Sequence, residues 1–512
     1  MKKVLFLCLI VFLARAQSKA PFETVKTQNG LVSGIYSNGV NVFKGIPFAA
    51  PPVGELRWKA PQAAANWQGV RKCDTFSASA MQAKPSPFMM YTAEFLAPPE
   101  PLSEDCLYLN VWTAAKSANE KRPVVVWVHG GGFTGGSGSV PLYDGEDLAK
   151  KGVVFVTINY RLGVFGFLAH PELSKEANGK EVGNYAFLDQ LAAFEWVKKN
   201  IAAFGGDPNN VTLAGQSAGA FSVNVLMASP LAKGLFHKAI AESGGMFGFS
   251  LRMKSIADAE QTGVAFAQKL QASSIADLRA KSAEEILKAG GGISSPVLDK
   301  YVIVGDMHSL FANNKQNDVP LLTGWNAGDR FPSPKTLTAE EFKADAEKKY
   351  GAFANDFLKV YPSATDAEAK ESQLEVSGHM LFGWQNYTWA KLQSKHGKNK
   401  AYLYFFKHVP PQYADKPDFG AFHSAEFGYF LHTLRNWDRP FTAVDRKLED
   451  QMSSYWVNFA KTGNPNAKGL PEWKAFDATK PQAMIFGDVP QTEILPSKAQ
   501  FEFWDKYRES LK

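Results

Sequence analysis

Gly215-Gln-Ser-Ala-Gly219 joins two segments of opposite character. Val211-Thr-Leu-Ala214 before it is a short apolar run that reads as a buried strand, and Ala218 to Ala228 after it reads as a helix. A strand that passes into a helix through so short a link must turn sharply. The central residue is then forced into strained backbone geometry, and its neighbours must be small. The turn lifts the Ser217 hydroxyl clear of the strand and sets it at a helix N-terminus, where backbone N–H groups favour developing negative charge. Ser217 is therefore a candidate nucleophile; the other reading is an ordinary Gly/Ser turn.

The surrounding chain repeats the same alternation. Pro123 to Val128 and Val153 to Ile158 are wholly apolar runs, as expected of strands buried on both faces. Phe187 to Asn200 has apolar residues at helical spacing, and Phe204-Gly-Gly-Asp-Pro208 reads as a turn. Strands are expected again at Pro320 to Thr323 and Tyr402 to Phe406. This predicts an α/β fold with a mostly parallel central sheet and helices on both faces. Charged, helical stretches near 252–290 and 339–389 interrupt it and read as insertions over the carboxyl edge of the sheet, where open α/β sheets bind ligands. The 512 residues would allow three domains of about 150 each. With no linker, repeat or low-complexity tract, a single domain over 17–512 is the expectation. Apolar residues make up 45% and charged residues 21%, which supplies a large core and excludes a disordered chain.

Residues 1–16 read as a secretory signal. Lys2 and Lys3 precede an apolar run from Val4 to Ala14, too short to span a bilayer, and Ala14-Arg-Ala16 is a small-x-small cleavage pattern. The expectation is cleavage after Ala16 and a secreted or periplasmic protein, with an uncleaved membrane anchor as the other reading. Loss of Lys2, Lys3 and Arg15, and of no acid, lowers the formal net charge from +6 to +3. So small a charge predicts no nucleic-acid partner. No later run approaches membrane-spanning length. Cys8 leaves with the signal. Cys73 and Cys106 remain, an even number for an oxidising compartment. A bridge between them would contribute about 3–4 kcal/mol through loop closure; two free thiols are the alternative. No C-x-x-C or H-E-x-x-H occurs, so no metal site is expected.

Acyl transfer passes through an oxyanion that needs donors fixed in advance. Gly130, Gly131 and Gly132 follow a strand and can present N–H groups without Cβ obstruction, and Ala218 after the nucleophile supplies another. No Lys-Ser/Thr follows the glycines, so a phosphate-binding loop is not supported. His129 precedes Ser217 and ends a buried strand, so it reads as structural.

At this point a resemblance is recognisable. Ser103-Glu-Asp-Cys-Leu-Tyr-Leu-Asn-Val-Trp112, His129-Gly-Gly-Gly-Phe133, Gly183-Asn-Tyr-Ala-Phe-Leu-Asp-Gln190, Phe204-Gly-Gly-Asp-Pro208 and Gly215-Gln-Ser-Ala-Gly219 together resemble the type-B carboxylesterases. That family includes cholinesterases, bacterial nitrobenzyl-type esterases and the inactive neuroligins. The resemblance runs from about Thr27 to the C-terminal end. It implies an α/β-hydrolase fold, ester hydrolysis without a cofactor, a small-molecule ester as substrate, and a Cys73–Cys106 disulfide.

In this fold the triad runs Ser, acid, His along the chain. The acid should follow a strand, and after Pro320 to Thr323 the family usually shows G-x-N-x-D-E-G. Here Gly324-Trp-Asn-Ala-Gly-Asp-Arg330 stands there, which puts Asp329 in the usual Glu position, Gly328 in place of an acid and Arg330 in place of the closing Gly. The shorter acid leaves Asp306 and Asp318 open as alternatives. Five histidines follow: His379, His396, His408, His423 and His432. Spacing does not choose between His408 and His423. The family's G-x-x-H-x-x-[DE] is met by Gly420-Ala-Phe-His-Ser-Ala-Glu426, so resemblance assigns His423 as the base. Glu426 reads as a capping or packing carboxylate.

The expected catalytic set is therefore Ser217, Asp329 and His423, with Gly131, Gly132 and Ala218 as the oxyanion hole. Phe133, Phe221, Phe247 and Trp325 line an apolar pocket or pack in the core. Choline esters are disfavoured. The family's cholinesterases carry Glu where this chain has Gln216, and a cation-binding Trp between the cysteines, where this chain has none. Neutral short-chain or aryl esters are expected. The rival readings are a non-catalytic adhesion protein on the same fold, or a lipase or amidase using the same triad. Oligomeric state is not legible.

Overall fold

The structure is a computed structural model that describes residues 21–248, 253–413 and 417–511. The expected signal, residues 1–16, lies outside the described residues. Eleven strands form the main sheet: β1 (Ile35–Ser37), β2 (Val40–Pro47), β3 (Tyr108–Thr113), β4 (Arg122–Val128), β5 (Val154–Ile158), β6 (Gly206–Gln216), β7 (Lys238–Glu242), β8 (Leu321–Asn326), β9 (Ala401–Phe406), β10 (Gln482–Phe486) and β11 (Gln491–Ile494). Their order across the sheet is β11-β10-β9-β8-β7-β6-β4-β5-β3-β2-β1. The strands from β4 to β10 run parallel, and antiparallel strands flank them on both edges. This is the mostly parallel sheet of an α/β-hydrolase fold.

The central strands are apolar on both faces because both faces are covered. One face, with Leu213, Ala239, Leu321 and Leu403, meets helices α1 (Tyr185–Asn200) and α2 (Ala218–Ala228). The other, with Ala214, Ile240, Leu322 and Tyr402, belongs to a separate apolar cluster under Trp456 and Phe430. The expected strands appear; most differ by a residue or two in length, but the one expected at Val211 to Ala214 runs the eleven residues Gly206–Gln216. Phe204 to Pro208 differs: β6 already begins at Gly206, and its register on β4 slips between Gly206 and Val211. The turn expected there is an irregular lead-in to the strand that carries Ser217.

The stretch after 252 contains helices Ile256–Lys269, Ile275–Ala280 and Ala283–Ala289. The later stretch runs through Ala339–Tyr350, Ala354–Val360 and α3 (Asp366–Gly378). It continues in a π-helical turn, His379–Gly383, and α4 (Trp384–His396). A single π turn inside a long helix re-aims the side chains beyond it.

Cys73 and Cys106 do not form the expected bridge. Both are free thiols, and both are buried. Burial pushes the Cys73 thiol up to about 11, with Arg71 and Asp74 as the charges beside it. Burial also pushes Cys106 up, among Asp189, Arg161, Asp105 and Glu104. The two sulfurs thus sit in different electrostatic surroundings, each a small apolar filler. Among the described residues no helix is long and apolar enough to cross a membrane, and no cluster of His, Cys, Asp and Glu could hold a metal ion.

Candidate active site

The carboxyl ends of β4, β6, β7, β8 and β9 meet at one place. At the end of β6 the chain reverses into α2, and Ser217 takes φ +55° and ψ −122°. An L-residue in that conformation costs on the order of 1–3 kcal/mol and persists only where its neighbours hold it. Three contacts do so. Ser217 N–H donates to the Glu242 carbonyl on β7 at 2.9 Å. A Cβ at Gly215 would lie 2.6 Å from the Gly219 carbonyl carbon, and one at Gly219 would lie 2.0 Å from the Val128 carbonyl oxygen. The small residues are needed because the turn is pressed against the end of β4.

The glycines after β4 are folded back on themselves. Gly131 has φ +105°, and its carbonyl accepts from Thr134 N–H at 3.0 Å and Gly135 N–H at 3.1 Å. Among the described residues no acceptor faces the N–H groups of Gly131, Gly132 or Ala218. Gly131 and Gly132 are exposed and Ser217 is half-buried. His129 is stacked on Tyr160 at 4.3 Å, its Nδ1 lies 2.8 Å from the Gly130 carbonyl, and burial lowers it to about 4. It stays neutral and supports the glycine loop.

Asp329 is brought to His423 by stitching two loops together. Ala327 N–H donates to the Phe406 carbonyl at 2.8 Å, Gly328 N–H to the Ala421 carbonyl at 2.8 Å, and Asn326 Nδ2 to the Phe422 carbonyl at 2.9 Å. Asp329 Oδ1 then lies 2.6 Å from His423 Nδ1. Its Oδ2 accepts from Ser243 Oγ at 2.6 Å and Asn326 N–H at 2.9 Å. Asp329 is 1% exposed and His423 6%. Both departures from the family pattern have a physical reason. A Cβ at Gly328 would lie 2.6 Å from the Ala421 carbonyl, so no acid fits there. Arg330 turns outward to Glu371 and to the Ala327 carbonyl.

The other acid candidates lie elsewhere. Asp306 caps a helix through Ser309 N–H at 2.8 Å, and Asp318 accepts from Lys398 N–H at 2.7 Å. His408 bridges Asp445 and Asp488 at 2.8 and 2.7 Å. His379 bonds Tyr361, and His432 borders Asp147 and Glu449. His396 ends α4.

The His423 ring meets the Ser217 turn through Gln216, whose Nε2 lies 3.1 Å from His423 Nε2 and 3.4 Å from its Nδ1. Among the described residues no hydrogen bond joins the Ser217 hydroxyl to the imidazole. Such bonds are often long before substrate binds. The π turn places Phe382 over the imidazole at 4.8 Å and 27°, and Phe331 meets the ring edge-on at 5.7 Å. Phe221 lies 6.4 Å from Phe382. The other three aromatic candidates pack away from the histidine: Phe133 on Phe167 and Phe187, Phe247 on Phe311 and Trp389, Trp325 on Phe405 and Phe501. Tyr91 OH donates to the His423 carbonyl at 3.1 Å. Sequence reasoning missed Phe331, Phe382, Ser243 and Tyr91, whose spacing carries no chemical motif. Glu426 does not cap a helix through its side chain; it accepts from Asn326 Nδ2 instead.

Comparison with known proteins gives the family of the whole chain. The sequence profile of the carboxylesterase family matches residues 21–504. The chain is 35% identical to fumonisin B1 esterase of Sphingopyxis macrogoltabida, over 94% of this chain and 91% of the relative. It is 35% identical to para-nitrobenzyl esterase of Bacillus subtilis, over 93% of this chain and 99% of the relative. Among solved structures it is similar to a carboxylesterase of Geobacillus stearothermophilus, with a TM-score of 0.81 and 33% identity over 94% of this chain and 100% of the other.

Proposed function

The chain belongs to the carboxylesterase family and is a carboxylic ester hydrolase, and we propose that its reaction runs through an acyl-enzyme on Ser217. His423 takes the Ser217 proton as the oxygen attacks the ester carbonyl. Asp329 holds the imidazole in the tautomer that leaves Nε2 unprotonated and stabilises the imidazolium that forms. The N–H groups of Gly131, Gly132 and Ala218 receive the oxyanion. His423 returns the proton to the departing alkoxide, which leaves as the alcohol. Water, deprotonated by the same imidazole, then releases the carboxylic acid and restores Ser217. The observation that carries this reading is the 2.6 Å Asp329–His423 bond beside the positive-φ turn at Ser217. Ser217→Ala is expected to lower kcat for a simple aryl ester by on the order of 10⁶ and to abolish labelling by an organophosphate. Near-normal turnover in that variant removes Ser217 from the mechanism.

The substrate proposed is a neutral aryl or short-chain ester. Phe331 and Phe382 offer flat apolar faces beside the imidazole, Gln216 is uncharged, and one relative is named for para-nitrobenzyl esters. A screen over acyl length, aryl leaving groups and choline esters tests it, and a preference for choline esters reverses it. Export with cleavage after Ala16, to a secreted or periplasmic location, is proposed from the sequence of residues 1–16. A secreted protein beginning at Met1 contradicts it.

A further inference from the structure

The π turn between α3 and α4 is held in place by side chains on both sides of it. Trp384 N–H donates to the His379 carbonyl, so one extra residue enters the turn and the helical pairing beside it is disturbed. Two side-chain amides step in. Gln385 Nε2 donates to the Met380 carbonyl at 2.9 Å, and Asn386 Nδ2 donates to the Phe382 carbonyl at 2.7 Å. Each amide is anchored outside the helix. Gln385 Oε1 accepts from Phe247 N–H at 2.7 Å, and Asn386 Oδ1 accepts from the Thr323 hydroxyl at 2.6 Å. Gln385, Asn386 and Thr323 are all buried, and amides bonded at both ends inside a core are rigid. Thr323 lies on β8, which leads into the Asp329 loop. The strand that presents the acid therefore also fixes the bulge that carries Phe382.

That bulge lays the Phe382 ring along the imidazole, with centroids 4.8 Å apart and planes 27° apart. Phe382 is 5% exposed, so the contact is shielded from water. Gln216 Nε2 is close to both ring nitrogens, at 3.1 and 3.4 Å. It lies over the imidazole and not in its plane, where it would overlap Cε1. The Nε2 lone pair, which lies in the plane, stays available to Ser217. A phenyl face is negative and attracts a cation within about 6 Å, most strongly when water is excluded. His423 becomes such a cation when it takes the Ser217 proton.

We propose that Phe382 is a positioning residue for His423: the π turn sets its ring along the imidazole, where it holds the imidazole plane and its negative face favours the imidazolium formed as Ser217 attacks. No bond forms or breaks at Phe382. The inference deepens the acyl-enzyme reading and rests on His423 being the base. The charged and titratable groups about the imidazole are Asp329 at Nδ1, Glu426 on Asn326 and Tyr91 at the His423 carbonyl. Arg330 turns away to Glu371, and His379 on the π turn faces Tyr361 and Phe501. The variants below alter none of these groups.

Fluorinated phenylalanines placed at 382 nearly keep the size of the ring while drawing charge off its face. As fluorination rises, the acid limb of the kcat/KM profile for a neutral aryl ester is expected to move to lower pH, by about half a unit in all. The sign follows because a weaker face favours the imidazolium less, so the base sheds its proton at lower pH. Phe382→Leu has no such face. It is expected to match the most fluorinated ring in limb position and to lower kcat about tenfold with KM changed less than about twofold. Phe382→Tyr keeps the face and is expected to hold the limb within about 0.2 unit. A limb that ignores fluorination, or Phe382→Leu changing KM while kcat and the limb stay in place, overturns the proposal. Should Phe382→Leu not fold, the fluorinated series decides alone. His423→Gln separates the two readings: near-normal turnover there defeats the acyl-enzyme reading, whereas an inactive His423→Gln beside an unmoved limb defeats only the role of Phe382.

Discussion

Asp329 shows how much one residue owes to contacts far along the chain. Its acid is a methylene shorter than the family's usual Glu, and local spacing leaves Asp306 and Asp318 as rivals. The structure puts Asp329 within 2.6 Å of the imidazole and gives its second oxygen two donors, while Asp306 and Asp318 bond backbone amides elsewhere. Asp329→Asn is expected to keep the fold and lower kcat by about 10⁴, because the amide favours the wrong imidazole tautomer. Asp306→Asn and Asp318→Asn are expected to change kcat less than twofold, roughly the size of a surface effect. Steady-state kinetics on one aryl ester compare all three. Ser217 was legible because a strand, a tight turn and a helix are adjacent in sequence. His423 was legible through its resemblance and not through spacing. Phe382 was not legible, because nothing local says that a helix will bulge there.

At the scale of elements, the run from α3 through the π turn to α4 ties the acid loop to the rest of the molecule. Gly378 presses on the Asp329 carbonyl, Ser377 exchanges hydrogen bonds with the Phe331 backbone, and His379 is buried against Tyr361 and Phe501. Burial lowers His379 from an ordinary 6.5 to about 3, so it is neutral in the folded protein. Below about pH 6.5 the unfolded chain binds a proton there that the folded chain refuses. The stability this group contributes is therefore full above that pH and lost as pH falls towards 3, by up to about 1.4 kcal/mol per pH unit. In urea unfolding between about pH 6.5 and 5, His379→Gln is expected to flatten the slope by about 1 kcal/mol per unit. An unchanged slope would show that His379 takes up its proton in the folded state. The buried strands and the helix after Ser217 were readable from apolar runs and helical spacing. The antiparallel edge formed by β1 and β2 was not: β1 is three residues long with no buried position, so it carries no apolar run.

For the whole molecule, cysteine counting and resemblance both pointed to a bridge that the structure does not contain. An even count says how many bridges are allowed. Whether two sulfurs meet is decided by the packing of the segments that carry them. Alkylation of the denatured protein without reductant, mapped by mass spectrometry, is expected to modify both Cys73 and Cys106. In the native protein both are expected to resist, because each thiol is buried and held protonated. Recovery of a Cys73–Cys106 cross-linked peptide would contradict the structure.

By itself the amino-acid order determined the alternation of strand and helix, the turn that presents Ser217 and the class of chemistry that such a turn serves. These follow from backbone sterics and side-chain periodicity over a few residues, which adjacent positions encode. The tertiary structure alone decided which carboxylate reaches the imidazole, which aromatic ring covers it and where the thiols lie. Those pairings join residues as far apart as Asp329 and His423, and their distances depend on how the strand ends converge. Convergence of that kind is a property of the packed sheet and leaves no trace in local spacing.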